Sequence, residues 1–125
     1  PFDLRTACPL EAGWDADHPQ IRQGGGYVHN WVLRGSGLHR AAVLAAPESG
    51  ITLSLSTTQP GLQVYTGNFL PETAGKGGAR YAPRCGVAME AQGFPNAMNL
   101  PGFPSVVLRA GERYHQEIIF AFGHN

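Results

Sequence analysis

Thr57-Thr58-Gln59-Pro60-Gly61-Leu62-Gln63-Val64-Tyr65-Thr66-Gly67-Asn68-Phe69-Leu70 reads as a strand running into a Pro-Gly turn and leaving on a second strand. Side chains two apart on a strand share a face. Gln63 and Tyr65 therefore project together, and Leu62, Val64 and Thr66 project oppositely. Two readings follow from this alternation. An amide beside an aromatic ring can hydrogen-bond to and stack on a small polar molecule such as a sugar ring. An ordinary strand whose Gln63 faces water has the same pattern.

Outward from this hairpin the strand signals recur. Upstream, residues 51–58 alternate, with Ile51, Leu53 and Leu55 on one face and Thr52, Ser54, Ser56 and Thr58 on the other. Residues 27–34 follow a triple glycine and are rich in β-formers, and residues 40–46 centre on Val43 and Leu44. Downstream, strands are predicted over 85–92, 105–109 and 113–122, the last alternating through Tyr114, Ile118, Phe120 and Phe122. Turn chemistry separates them at Pro47-Glu48-Ser49-Gly50, Pro60-Gly61, Gly75-Lys76-Gly77-Gly78, Pro101-Gly102 and Arg109-Ala110-Gly111-Glu112. No window of 12 or more residues keeps a 3.6-residue period free of Gly and Pro. Short strands at close spacing predict an all-β fold, an antiparallel β-sandwich, with residues 1–125 as a single domain.

Composition agrees. A chain of 125 residues suffices for one domain with a real core. Charged residues make up only 14%, against 17 Gly and 10 Pro, which suits a turn-rich β domain. Nine basic and nine acidic residues cancel, so no net field steers the chain to nucleic acid or anionic lipid. No apolar run approaches a membrane span. Cys8 and Cys85 form no CxxC pair and are expected as free, partly buried thiols, which points to a cytoplasmic location. The abrupt start at Pro1-Phe2-Asp3-Leu4-Arg5 reads as a cut from something longer.

The residue with the strongest claim to chemistry is Glu90. Alternation through Val87-Ala88-Met89-Glu90-Ala91-Gln92 puts Ala88, Glu90 and Gln92 on one face. A carboxylate in mid-strand among apolar neighbours is costly to bury without a partner or a purpose. Partial burial would raise its pKa toward that of a general base; an exposed acid on an edge strand is the other reading. His29 sits in mid-strand as a hydrogen-bonded structural histidine. Asp15, Asp17 and His18 lack the further ligands of a cation site and read as a solvated acidic loop. Gly24-Gly25-Gly26 and Gly75-Lys76-Gly77-Gly78 fit no phosphate-loop pattern and read as turns. A loop over about residues 93–104, directly after Glu90 and Gln92, lies where sites are commonly built.

Taken in order, four segments resemble the C-terminal part of the galactose mutarotase (aldose 1-epimerase) family. They are Pro1-Phe2-Asp3-Leu4-Arg5, Gly25-Gly26-Tyr27-Val28-His29-Asn30-Trp31, Gln59 through Leu70, and Met89-Glu90-Ala91-Gln92-Gly93-Phe94-Pro95-Asn96-Ala97-Met98-Asn99. Gly102-Phe103-Pro104-Ser105, Leu108 through Tyr114, and Phe120 and Phe122 extend the likeness over essentially the whole chain. The resemblance implies a partial antiparallel supersandwich and interconversion of the α and β anomers of a free aldose, with no cofactor and no metal. It implies that Glu90 is the catalytic base and that Gln63 contacts the bound sugar, a hexose such as galactose or glucose. The family's general-acid histidine, a second histidine and an arginine lie upstream of the segment that Pro1-Phe2-Asp3 matches. The family also has an aspartate where this chain has Val28.

These departures leave more than one functional reading. The chain is the base-bearing part of a mutarotase, inactive without its N-terminal part, or it is a carbohydrate-binding sandwich that lost the chemistry. A weaker third reading, action on a phosphorylated sugar, requires a basic cluster near Glu90, for which Arg80 and Arg84 are the nearest candidates. Exposed sheet edges predict association, with the missing N-terminal half or with itself. Nucleic acid and membrane are not expected partners.

Overall fold

The computed structural model describes residues 1–124. Two short helices, α1 (Glu11–Trp14) and α2 (Pro19–Gly24), precede eight strands: β1 (Val28–Val32), β2 (His39–Ala46), β3 (Ile51–Thr57), β4 (Gly61–Tyr65), β5 (Thr73–Ala74), β6 (Arg80–Tyr81), β7 (Ala88–Gln92) and β8 (Ile118–His124). The fold is mostly β. Its strands form sheets in the orders β1-β4-β7, β2-β3-β8 and β5-β6. The chain divides into two compact units: residues Pro1–His29 with Gln63–Glu90, and Asn30–Leu62 with the chain from Ala91 onward. Among the described residues no helix is long and apolar enough to cross a membrane.

In the second unit the alternating run becomes the central strand of its sheet. β3 pairs antiparallel with β2, Leu44 opposite Leu53, and with β8, Leu53 opposite Phe122. A bulge between Arg40 and Ala42 breaks the first ladder. Alternation then buries one face of β3 at its C-terminal end, where Leu55 and Thr57 are fully covered. Thr57 Oγ1 donates to Glu117 O at 3.1 Å and accepts from Gln59 N–H at 3.0 Å, so the buried hydroxyl is satisfied as the chain turns toward β4.

Gly61 opens β4 at a point where a side chain has no room. A Cβ there would lie 2.7 Å from Asn30 Oδ1 and 3.0 Å from Phe94 Cδ1. Overpacking of this kind costs about 1–3 kcal/mol. Gly61→Ala is therefore expected to lower the unfolding free energy by that amount, which at an unchanged m-value of about 2 kcal/mol/M lowers the urea midpoint by about 0.5–1.5 M; an unchanged midpoint would refute the close packing.

Two predicted strands are shorter or missing. Residues 105–109 enter no ladder, and the 113–122 run pairs only from Ile118, opposite Thr57. The sequence between them closes a local turn instead: Glu112 N–H donates to Arg109 O at 3.0 Å, and Arg109 N–H donates to Glu112 Oε2 at 2.7 Å. β-propensity makes a strand only where a neighbour offers its backbone, and none does here. The 85–92 strand likewise begins at Ala88, because Cys85 N–H closes a turn onto Ala82 O and Arg84 takes a left-handed φ of 67°.

The helices of the first unit escaped a 12-residue window because they are a turn or two long. α2 still carries its punctuation: Pro19 at its first position, His18 Nδ1 accepting Gln20 N–H at 3.2 Å, and Gly25 closing it at φ 61°. The triple glycine thus ends a helix. Gly75-Lys76-Gly77-Gly78 forms a 3-10 turn over Lys76–Gly78. Cys8 and Cys85 are free, as expected, but exposed rather than partly buried.

Candidate functional site

The strand order β1-β4-β7 makes the strand of Gln63 a hydrogen-bonded neighbour of the strand of Glu90, and both residues belong to the first unit. β4 alternates as read: Leu62 and Val64 are buried while Gln63 and Tyr65 are half-buried. Gln63 Oε1 is shielded from solvent and has no hydrogen-bond partner among the described residues. Tyr65 uses its hydroxyl to accept Phe69 N–H at 2.8 Å, which ties the end of β4 to the following turn. Glu90 is exposed on β7, an end strand of its sheet. Of the two readings of its surroundings, the structure therefore shows the exposed acid on an edge strand, not the partly buried carboxylate.

A polar network sets where β1 begins beside β4. Tyr27 N–H donates to Thr66 Oγ1 at 3.1 Å, and Thr66 N–H donates to Tyr27 O at the same distance. Thr66 Oγ1 donates to Asn68 Oδ1 at 2.7 Å. The Asn68 amide then donates to Gly24 O at 2.8 Å and Tyr27 O at 2.9 Å. Gly26, at φ 140°, lets Asn68 come this close, since a Cβ would sit 2.5 Å from its Oδ1. The ring of Tyr27 is 1% exposed and its hydroxyl donates to Pro1 O at 2.5 Å. Burial, with a smaller contribution from Cys8, raises the Tyr27 pKa. Sequence reading passed over Thr66 and Asn68 because their value lies in contacts some 40 residues away in the chain.

His29, the next residue but one, is half-buried with its ring 4.7 Å from that of Phe2. Its Nδ1 accepts Val28 N–H at 3.0 Å. Burial first, and then the nearby His18, lowers its pKa below the usual histidine value. The linkage has a definite sign. As pH falls through about 6.5 the unfolded chain takes up a proton that folded His29 resists, so stability is lost. The denaturation midpoint should fall between pH 7.5 and pH 5.5, and His29→Gln should flatten that fall; an equal slope in the variant would remove His29 as its source.

The basic residues near the site are engaged elsewhere. Arg84 lies over Trp14, 4.9 Å from the ring centroid, and donates to Gly25 O at 3.0 Å and Asp15 Oδ1 at 3.4 Å. Arg80 pairs with Glu72 at 2.6 Å on the surface. Neither forms the phosphate receptor that a phosphosugar reading requires. In the acidic loop, Asp17 pairs with Arg22 and His18 caps α2, so these side chains stabilise local structure. Val28, at the start of β1, is 40% exposed.

The second unit holds a cavity of about 830 Å³ bordered by Gln59, Gln92, Val106, Leu108, Tyr114 and Gln116, among others. Gln59 Nε2 donates to Tyr114 Oη at 3.1 Å. Gln116 Oε1 is shielded and has no hydrogen-bond partner among the described residues. The predicted 93–104 loop packs on itself, with Phe94 and Phe103 edge to face at 5.2 Å and Ala97 buried.

Comparison with known proteins extends the geometry. The aldose 1-epimerase family model matches residues 5–121. Galactose mutarotase of Homo sapiens is 45% identical over 123 residues, covering 97% of this chain and 34% of that protein. Aldose 1-epimerase of Haemophilus influenzae is 32% identical over 123 residues, with 97% and 36% covered. The crystal structure of the GalM/aldose epimerase homologue from C. elegans superposes with a TM-score of 0.83 at 31% identity, over 98% of this chain and 36% of that one. The chain spans about a third of the length of the relatives it matches.

Proposed function

This chain belongs to the aldose 1-epimerase family, and we propose that it supplies the general base and part of the sugar-contacting surface of a mutarotase acting on a free aldose. One observation carries the reading: Gln63 and Glu90 stand on hydrogen-bonded neighbouring strands of one sheet. The shielded, unpartnered Gln63 Oε1 supports it, since a sugar hydroxyl donates to such an acceptor. The exposure of Glu90 fits the half-open face of Gln63 and Tyr65 rather than the covered face of Leu62 and Val64.

Anomer exchange is acid/base chemistry. Glu90 takes the proton of the C1 hydroxyl while an acid protonates the ring oxygen, and the C1–O5 bond breaks to give the open aldehyde. Rotation about C1–C2 presents the other face of the carbonyl. The C5 hydroxyl then re-adds to C1, giving its proton back to the conjugate base of the acid while Glu90 returns its proton to the C1 oxygen. In this reading the acid comes from the part of a family-length enzyme that these residues do not span, and the whole works in the cytoplasm on a hexose such as galactose or glucose.

Polarimetry of freshly dissolved α-D-glucose and α-D-galactose tests the proposal. The 125-residue chain alone should leave the spontaneous rate unchanged. A chain completed with the upstream two thirds of a relative should accelerate it, and no acceleration by a folded, completed chain would end the proposal.

Val28 favours a second reading, sugar binding without turnover. A valine cannot accept the sugar hydroxyls that an aspartate accepts, and losing a charged hydrogen bond costs about 1.5–3 kcal/mol. It suits a less hydroxylated or differently configured ligand. Calorimetric titration that finds saturable monosaccharide binding by the completed chain, without anomer exchange, would select this reading.

A further inference from the structure

Two backbone hydrogen bonds fix the register of β1 against β4. Thr66 N–H donates to Tyr27 O at 3.1 Å, and Leu33 N–H donates to Pro60 O at 2.9 Å. One residue number rises as the other falls, so the pair is antiparallel and Val28 stands directly opposite Tyr65. Facing residues share a side of a sheet, and Tyr65 shares its side with Gln63. Val28 is therefore on the Gln63 face, as the diagonal neighbour of Gln63. Its side chain lies against the end of α2, where a Cβ on Gly24 would sit 2.8 Å from Val28 Cγ1, and is still 40% exposed. Beyond Tyr65 the exposed Phe69 continues the apolar surface, its N–H donating to Tyr65 Oη. Polar side chains nearby are engaged: Asn68 bonds to Gly24 O and Tyr27 O, and Arg84 to Gly25 O and Asp15 Oδ1. The face is thus apolar at Val28, while Gln63 brings it a shielded acceptor with no partner among the described residues.

We propose that Val28 selects a 6-deoxyhexose, the class of aldose whose C6 is a methyl group; this rests on the reading of Gln63 and Glu90 as parts of one sugar site. Neighbouring strands lie about 4.8 Å apart, so Val28 stands about 10 Å from the strand of Glu90, across β4. A pyranose with its C1 hydroxyl at Glu90 brings only its far end, C4 and the exocyclic C6, over Val28. C6 is the group that projects from the ring there. As a methyl it covers Val28 and the ring of Tyr65 and leaves water. As a hydroxymethyl it sets a hydroxyl against a side chain that neither donates nor accepts. A pentose has no C6 and leaves Val28 uncovered. Val28 is then a specificity-determining residue, and Gln63 orients the hydroxylated part of the same ring.

Sugars that differ only in what C5 carries test it. D-galactose, D-fucose and L-arabinose present CH2OH, CH3 and H there, and D-glucose, 6-deoxy-D-glucose and D-xylose do the same in the other configuration. Anomer exchange of each is followed by polarimetry with the completed, family-length chain. In at least one series kcat/KM for the 6-deoxy sugar should exceed that of the hexose and that of the pentose by about 10-fold or more. Val28→Thr keeps the shape of the side chain and adds a hydroxyl, so it should erase most of the advantage over the hexose and keep that over the pentose. A hexose that does as well as the 6-deoxy sugar in both series overturns the proposal, and so does a preference that Val28→Thr leaves unmoved. Failure of the catalytic reading looks different: the folded, completed chain accelerates none of these sugars. Calorimetric titration then reads the same preference as Kd, without any chemistry. Where the completed chain does not fold, the titration uses the 125-residue chain, which itself holds Val28, Gln63 and Tyr65. The 6-deoxy sugar should again bind about 10-fold tighter than its hexose. Equal affinities, or no saturable binding of any of these sugars, overturn the proposal.

Discussion

Glu90→Gln in a completed, family-length chain is expected to slow enzymatic anomer exchange by about 10²–10⁴-fold, the usual contribution of one positioned acid/base group. The substitution keeps the shape of the side chain and removes only its ability to take a proton. KM for the sugar should change little, because the loss falls on proton transfer rather than on binding. Glu90 is exposed on an end strand, so the change should leave stability within about 0.5 kcal/mol, as surface substitutions do. Lost activity with an unmoved melting curve therefore reports chemistry. Equal rates for the parent chain and the Glu90→Gln variant would remove the base from this residue, and the catalytic reading with it.

Asn68→Ala is expected to have the largest effect on stability. The side chain accepts from Thr66 Oγ1 and donates to the carbonyls of Gly24 and Tyr27. Truncation strands these groups around a fully buried Thr66 and Tyr27, and each unsatisfied polar group costs about 1–3 kcal/mol. Partial access of water to the edge of the network limits the sum to about 3 kcal/mol, or roughly a 10 °C fall in Tm for a domain of this size. Asn68→Asp is the informative companion. It keeps the acceptor for Thr66 but replaces the amide donor with an oxygen facing two carbonyls, so it should destabilise at least as much as alanine at neutral pH. Differential scanning calorimetry on the three proteins decides it; a shift below about 3 °C in both variants would show that the network does not hold β1 beside β4.

Several features of this molecule were legible along the chain. The alternation of residues 51–58 and 62–66 follows from the two-residue repeat of an extended backbone, a property of covalent geometry that needs no partner. It placed Leu55 on a covered face and paired Gln63 with Tyr65 opposite Leu62 and Val64. α2 was not read from the sequence, because it is too short for its period to register, although Pro19 and Gly25 stand at its ends in the structure. The identity of Gln63 and Glu90 as the residues of interest likewise came from sequence, through a resemblance borne by specific segments.

Exposure and partnership came only with the tertiary structure. Whether Glu90 is covered depends on which strand ends the sheet, and strand order is set by contacts between segments tens of residues apart. Residues 105–109 have the composition of a strand but no neighbouring backbone to pair with, so propensity went unrealised. Arg84 could be counted as a basic residue near Glu90 until folding laid it over Trp14 and against Gly25 O. Periodicity is written locally, one residue to the next. Neighbours are chosen by the whole chain, because burying apolar surface and satisfying each peptide group are solved together across distant segments.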